Sequence, residues 1–365
     1  MNIRFTLYVV SLSGLVSLSA QVPQSPFIRD PWPEQKKGPV KVFLLAGQSN
    51  MQGQGSLRSL EWMIYNPETA PLCQQWKDRM GRWTERHDVW IWTTDGGRYG
   101  YLRPGFGADE WRIGPELGFG WVVGEAFDEQ VLLIKTCWGG RSLKQDFLPP
   151  GAKLPPEKEL LAQLQRARRS HPELTLQDIK KRYGAAYREM VSRTHEVLNN
   201  LNKYFPSYKK SRGYELVGFV WFQGWNDMID RRQRAEKFKS YTDRLVKLIQ
   251  AVSKEFNAPN MKVVIGGIGV GGKNANEPIK LLRAAQAAVA QRPELKGRVQ
   301  YVDTARFWDE ELEKMFREGI WKGPNWPVFY NRGSQPPYHY LGSSPIYYRI
   351  GLAMGKAMVQ LLKQN

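Results

Sequence analysis

Four short blocks carry side chains suited to acyl transfer. The first is Leu44-Leu45-Ala46-Gly47-Gln48-Ser49-Asn50-Met51, a serine set directly behind an apolar run. At that junction the chain leaves a strand for a helix. A serine there exposes its hydroxyl for attack, and its own N–H can help hold a developing oxyanion. The same position also suits an ordinary N-cap serine. The second block, Thr136-Cys137-Trp138-Gly139-Gly140-Arg141-Ser142, ends a second apolar run in paired glycines. They permit close backbone approach to a ligand, or simply a tight turn. The third, Trp221-Phe222-Gln223-Gly224-Trp225-Asn226-Asp227, offers an Asn amide that can donate into the same crevice or cap the following helix. Far along the chain, His339 lies six residues before Pro345, in a loop ahead of the last helical pattern. His195 sits within a helical stretch, and His87 and His171 fall in polar surroundings, so these three read as structural or solvated.

The elements that must position these blocks follow from hydrophobic periodicity. Five short runs, residues 40–46, 130–136, 215–222, 261–268 and 299–303, are apolar on consecutive positions, as expected of parallel strands covered on both faces. Helical patterns lie between and after them, at residues 115–127, 178–204, 231–256, 278–291 and 345–362. Ser343 and Ser344 serve as caps and Pro345 as the first turn of the last one. The alternation predicts an α/β chain, a three-layer α/β/α sandwich on a five-stranded parallel sheet. Three stretches break the beat and read as long insertions: residues 56–112 with six Trp, 145–182 with a basic run from Lys153, and 318–337, rich in Pro, Gly and aromatics. Insertions in such sheets gather over the carboxyl ends of the strands, where ligands bind.

Composition narrows the classes further. The 365 residues hold 53 Lys+Arg against 35 Asp+Glu, a net charge of +18, with 42% hydrophobic and 12% aromatic residues. Such a chain is neither disordered nor low in complexity. Two cysteines exclude a disulfide-dense scaffold and a Cys-rich zinc module, and four histidines leave little material for a metal site. Residues 1–20 have a positive start at Arg4, a brief apolar core and a small-residue exit, which reads as a signal peptide. Residues 21–39 then form an N-terminal extension and 40–365 one domain, placed outside the cytoplasm as a secreted or periplasmic protein with no stable membrane span after cleavage. Export would permit a Cys73–Cys137 disulfide.

Taken together, Gly47-Gln48-Ser49-Asn50-Met51, Gly140, Gly224-x-Asn226-Asp227 and the late His339 resemble the four blocks of SGNH hydrolases. The Gly-Gln-Ser-Asn-Met and Trp-x-Gln-Gly-x-x-Asp forms resemble the sialate O-acetylesterase branch, carbohydrate esterase family six. The resemblance runs from about Val40 to Leu362. It implies a flavodoxin-like fold and hydrolysis of acetyl esters on a carbohydrate, without metal or cofactor. It also implies Ser49 as nucleophile, His339 as base and then acid, and an oxyanion hole of the Ser49 and Gly140 N–H groups and the Asn226 side chain. Gln48, Asn50 and Gln223 become candidate substrate-binding residues. One departure stands out. Members of this family carry an acid three residues before the histidine, where this chain has Pro336. Asp303, at the end of the fifth run, and Asp227 are the candidate substitutes, or a carbonyl holds the imidazole. The missing acid and the many Trp leave an alternative, a catalytically impaired carbohydrate-binding protein on an esterase scaffold.

Two further features need placing. Gly267-Ile268-Gly269-Val270-Gly271-Gly272 matches G-x-G-x-x-G, but it follows the fourth strand and lacks an acid about 20 residues on, so it reads as a Gly-rich rim loop rather than a dinucleotide site. Without residues 1–20 the chain keeps 52 Lys+Arg against 35 Asp+Glu, a surplus of +17. No nucleic-acid motif accompanies that charge. It predicts an anionic acetylated glycan drawn to a basic surface around 153–182, with the Trp residues of 56–112 as walls of a sugar cleft.

Overall fold

The computed structural model describes residues 32–78, 80–229 and 234–364, so the expected signal peptide and the first part of the N-terminal extension lie outside the described residues. Besides a small antiparallel pair, Gly55–Ser56 with Arg112–Ile113, the strands are β1 (Val40–Gly47), β2 (Arg86–Thr93), β3 (Tyr99–Leu102), β4 (Val131–Cys137), β5 (Tyr214–Phe222), β6 (Lys262–Gly266) and β7 (Val299–Val302). β1 to β7 form one sheet in the order β3-β2-β4-β1-β5-β6-β7, parallel throughout except for the antiparallel β2–β3 edge pair. The five expected runs are β4-β1-β5-β6-β7, a flavodoxin-like order.

The sheet has seven strands, not five. The extra pair comes from the Trp-rich insertion, where Arg86, His87 and Asp88 open β2 and mask its apolar second half. Arg86 is nonetheless fully buried, paired with Asp88 at 2.5 Å and lying over the Trp32 and Trp121 rings. In β4 every residue is buried, which requires helical cover on both faces. The expected helix over 178–204 is three pieces, Leu176–Arg182, Ala185–Asn199 and Leu201–Tyr204. The insertion before it folds on a small cluster of its own, Leu148, Leu160, Leu164, Ile179 and Tyr183. The helix Ser344–Leu362 starts as expected, but the Ser343 side chain caps nothing; the Ser344 N–H instead donates to Ser59 Oγ at 3.0 Å.

Register places the site. Gly47 of β1 pairs with Cys137 of β4 on one side and Phe222 of β5 on the other. The three strands therefore end at one level, and the loops carrying Ser49, Gly140 and Asn226 leave the sheet side by side.

Candidate active site

The Ser49 turn is dictated by crowding. A Cβ on Gly47 would lie 2.2 Å from the Phe222 carbonyl oxygen, so only glycine fits between β1 and β5. Gln48 is extended, and Ser49 opens the short helix Ser49–Gln52, where its N–H has no intrahelical acceptor. Underneath, the fully buried Lys135 of β4 donates to the carbonyls of Gln52 (2.6 Å) and Phe106 (2.5 Å) and to Glu116 Oε2 (2.9 Å). Glu116 in turn accepts from the Gly114 N–H at 2.7 Å. Beside them, Asp95 accepts from Gln52 Nε2 at 2.5 Å, and burial pushes its carboxyl upward.

Gln48 links this turn to the β5 loop. Its side-chain oxygen accepts from the Gly224 N–H at 3.1 Å, and its Nε2 donates to Asn226 Oδ1 at 3.1 Å. With Oδ1 occupied, Asn226 turns Nδ2 outward, where it donates to the Gly140 carbonyl at 2.7 Å. Gly140 has φ +70°, a left-handed conformation that glycine adopts without strain. Asp227 is buried and accepts from the N–H groups of Leu143 (2.6 Å) and Lys144 (2.9 Å) and from Gln223 Nε2 (2.7 Å). Burial pushes its carboxyl up, and these donors oppose the shift.

His339 arrives on a tight loop. Ser334 and Gln335 both donate N–H bonds to the Leu341 carbonyl (2.7 and 3.0 Å), with Tyr340 and Leu341 at positive φ. Asn50 Nδ2 donates to the Tyr338 carbonyl at 3.1 Å, and the Tyr347 hydroxyl reaches both Asn50 Oδ1 (2.7 Å) and the His339 carbonyl (3.2 Å). The block after Ser49 thus holds the histidine loop directly. His339 Nδ1 lies 3.4 Å from Gln335 Oε1. Burial, with Arg112 nearby, lowers its pKa to about 4.

Ser49, Gly139, Gly140, Asn226 and His339 line one cavity of about 390 Å³, together with Gln48, Gln52, Gln54, Trp225, Ile229 and Tyr338. Several expectations change here. Neither carboxylate reaches the histidine: Asp303 is exposed and accepts from the Ala305 N–H at 2.9 Å, and Asp227 is committed to the three donors above. Asn50 and Gln223 are fully buried in the scaffold rather than facing the cavity, and Gln48 reaches it with its amide already engaged. Among the Trp of 56–112, Trp76, Trp90 and Trp92 are core residues and Trp111 is exposed; none lines the cavity. Its aromatic walls are Trp225 and Tyr338, with ring centroids 5.9 Å apart, each adjacent in sequence to a singled-out residue. Neither the basic run after Lys153 nor any other Lys or Arg lines the cavity among the described residues.

Other motifs resolve as structure. In the Gly267–Gly272 loop the Arg283 guanidinium donates to the carbonyls of Ile268, Val270 and Gly272, and the Gly269 N–H is not free for a ligand because it donates to the Tyr340 hydroxyl at 2.6 Å. Cys73 and Cys137 are buried free thiols rather than a disulfide. Cys73 bonds the Met63 and Thr69 carbonyls, and Cys137 ends β4 beside Asp95, so each sits in its own neighbourhood. His195 and His171 pair with Glu255 and Glu173, and His87 lies against Tyr101. Among the described residues no cluster of three His, Cys, Asp or Glu is arranged for a metal ion, and no helix is long and apolar enough to cross a membrane.

Comparison with known proteins gives the family. A probable carbohydrate esterase of Arabidopsis thaliana is 24% identical over 257 residues, 68% of this chain and 74% of its own length. The crystal structure of NanS superposes with a TM-score of 0.50 at 12% identity, covering 90% of this chain and all of that one, which supports the fold. The X-ray structure of an A. thaliana protein gives a TM-score of 0.49 at 18% identity, over 88% of this chain and 98% of that one. The sequence model of the carbohydrate esterase, sialic acid-specific acetylesterase family matches residues 39–311, which include Ser49, Gly140 and Asn226 and stop short of His339. This chain belongs to that family of sialic acid-specific acetylesterases and is a carboxylic ester hydrolase.

Proposed function

We propose that the protein removes O-acetyl groups from a carbohydrate by serine catalysis. The observation that carries this reading is the convergence of Ser49, Gly140, Asn226 and His339 on one cavity at the carboxyl edge of the sheet. In the reaction Ser49 Oγ attacks the acetyl carbonyl while His339 Nε2 takes its proton. The carbonyl electrons move to the oxygen, which the Ser49 and Gly140 N–H groups and Asn226 Nδ2 hold. Collapse expels the sugar oxygen, which receives the proton from His339. Water then attacks the acetyl-serine by the reverse sequence, releasing acetate. The Trp225 and Tyr338 rings suit the apolar faces of a sugar. The cavity lining contains no Lys or Arg, so an attraction for anionic glycan would lie outside the acetyl site, on the basic run after Lys153. The first 20 residues favour export, checked by the N-terminus of the mature protein.

The deciding experiment measures hydrolysis of an aryl acetate and acetate release from acetylated neutral and acidic glycans, wild type beside Ser49→Ala. Loss of at least about a thousandfold in kcat is expected. Unchanged turnover in Ser49→Ala would remove this reading.

A further inference from the structure

No carboxylate among the described residues is hydrogen-bonded to the His339 ring. Serine hydrolases use a carboxylate on Nδ1 to fix the imidazole tautomer and to stabilise the imidazolium that forms. Here the sequence position for it is Pro336, Asp303 is exposed and turned to its own loop, and Asp227 is held by Leu143, Lys144 and Gln223. The side chain that does lie against Nδ1 is Gln335, whose Oε1 is 3.4 Å away.

That contact is built into the loop. The Gln335 N–H is fixed on the Leu341 carbonyl at 3.0 Å and the Ser334 N–H on the same oxygen at 2.7 Å. The His339 N–H donates to the Pro336 carbonyl at 3.0 Å, which brings the imidazole back over the residue before the proline. Tyr340, next in the chain, is buried, with its hydroxyl on Thr304 and on the Gly269 N–H. Residues 334–342 therefore form one closed unit that carries both the imidazole and its neighbour. Around His339 stand the Tyr338 ring at 4.5 Å, the Tyr347 hydroxyl on its carbonyl, and the Arg112 guanidinium as the charged group acting on it.

We propose that Gln335 is the positioning residue for His339, its side-chain oxygen accepting Nδ1–H in place of the usual carboxylate. The inference rests on reading His339 as the base. An amide oxygen accepts and cannot take a proton at neutral pH, so it selects the tautomer with the Nε2 lone pair free to face Ser49. It carries no full charge, so it stabilises the imidazolium less than a carboxylate does. The site thus has the orientation of a triad without its third charge.

The test compares Gln335→Met, which keeps length and removes the acceptor, with Gln335→Glu, which restores an acid. Readouts are kcat and KM on an aryl acetate across pH, and nitrogen NMR of His339, which reports tautomer and protonation without turnover. Gln335→Met is expected to lower kcat by more than about tenfold, towards the roughly 10⁴-fold that a wrong tautomer costs such enzymes, with little change in KM. Gln335→Glu is expected to retain activity and to move the acid limb upward by at least about one pH unit. In wild type the proton should reside on Nδ1. An Nδ1-protonated ring with no esterase turnover would leave this assignment standing and remove the proposed function instead. Unchanged kcat, acid limb and His339 nitrogen shifts in both variants, or a wild-type proton on Nε2, would overturn it. Should Gln335→Met fail to fold, the Gln335→Glu limb shift and the wild-type tautomer decide.

Discussion

The two shoulders of the cavity are built from opposite materials. Under Ser49 the support is ionic: Lys135 and Glu116, both within 1% of full burial, hold the Ser49–Gln52 helix by its last carbonyl. Around His339 the support is neutral, an arrangement of Asn50, Tyr347, Tyr340 and Gln335. A buried ammonium with three acceptors fixes a backbone carbonyl firmly, and it does so below the level of the reacting atoms. A full charge beside the imidazole would set its basicity as well as its position. On the proposed mechanism the difference separates two tasks, rigid placement of the Ser49 turn by charge and orientation of His339 by dipoles.

Breaking the ionic shoulder should produce the largest effect on the fold. Lys135→Met leaves Glu116 buried without its cation, and a loss of about 3–5 kcal/mol of stability is expected, read from denaturant unfolding. Adding Glu116→Gln should restore part of that loss, because the stranded charge is then gone. A Lys135→Met protein that unfolds with the wild type would show that the pair holds nothing. If the helix is indeed steadied from below, kcat in the double variant should stay below wild type even where stability returns.

This contrast also marks what the sequence made legible. Ser49, Gly140 and Asn226 could be placed because each follows a continuous apolar run, and parallel register then brings run ends together. The same rule missed β2, whose first residues are charged and whose burial depends on Arg86 meeting Asp88 and two indoles across the fold. Lys135 left a visible trace, a lone lysine inside Leu-Leu-Ile-Lys-Thr-Cys, although nothing local says what it holds. Gln335 left none. Its contact exists only after residues 334–342 close on themselves, and a pattern anchored on an acid three residues before the histidine looks one position too late. The Trp residues misled because aromatic content alone cannot separate core from cleft.

The neutral shoulder predicts an unusual acid tolerance, a smaller effect than the loss of Lys135. With burial and Arg112 holding the His339 pKa near 4, the imidazole stays unprotonated well below neutrality; if it is the base proposed above, kcat/KM should remain flat from pH 7 to about 5 and halve near pH 4. The unfolded histidine titrates near 6.5, so between these values the unfolded chain binds the extra proton. The stability this group contributes is complete above about pH 6.5 and is lost as pH falls towards 4. A pH–rate profile with its acid limb at 6.5 would show that the imidazole is either better solvated or better paired than this geometry gives.

The smallest expected effect sharpens the comparison in the cavity itself, whose lining has no Lys, Arg, Asp or Glu and where recognition falls to rings. Trp225 and Tyr338 line the cavity, whereas Trp111, 69% exposed, belongs to the insertion that holds six of the fourteen Trp and lies outside it. Trp225→Ala should raise KM for an acetylated sugar about two- to tenfold, the scale of one aromatic contact, while kcat on an aryl acetate moves little. Trp111→Ala should change neither by more than about twofold. The pair works as a control in both directions. If Trp111 carried the KM effect instead, the sugar would lie against the insertion and the cavity would serve the acetyl group alone. If only Trp225 matters, the sugar leaves the acetyl site over the β5 loop, on the same side as Asn226, and the proposed oxyanion donor and the sugar wall are adjacent residues of one short helix, Trp225–Met228. A ring that shifts that helix would then alter both binding and the oxyanion hole. A combined variant, Trp225→Ala with Asn226→Ala, should accordingly lose more or less than the product of the two single losses, and simple multiplication would show that the helix transmits nothing between them.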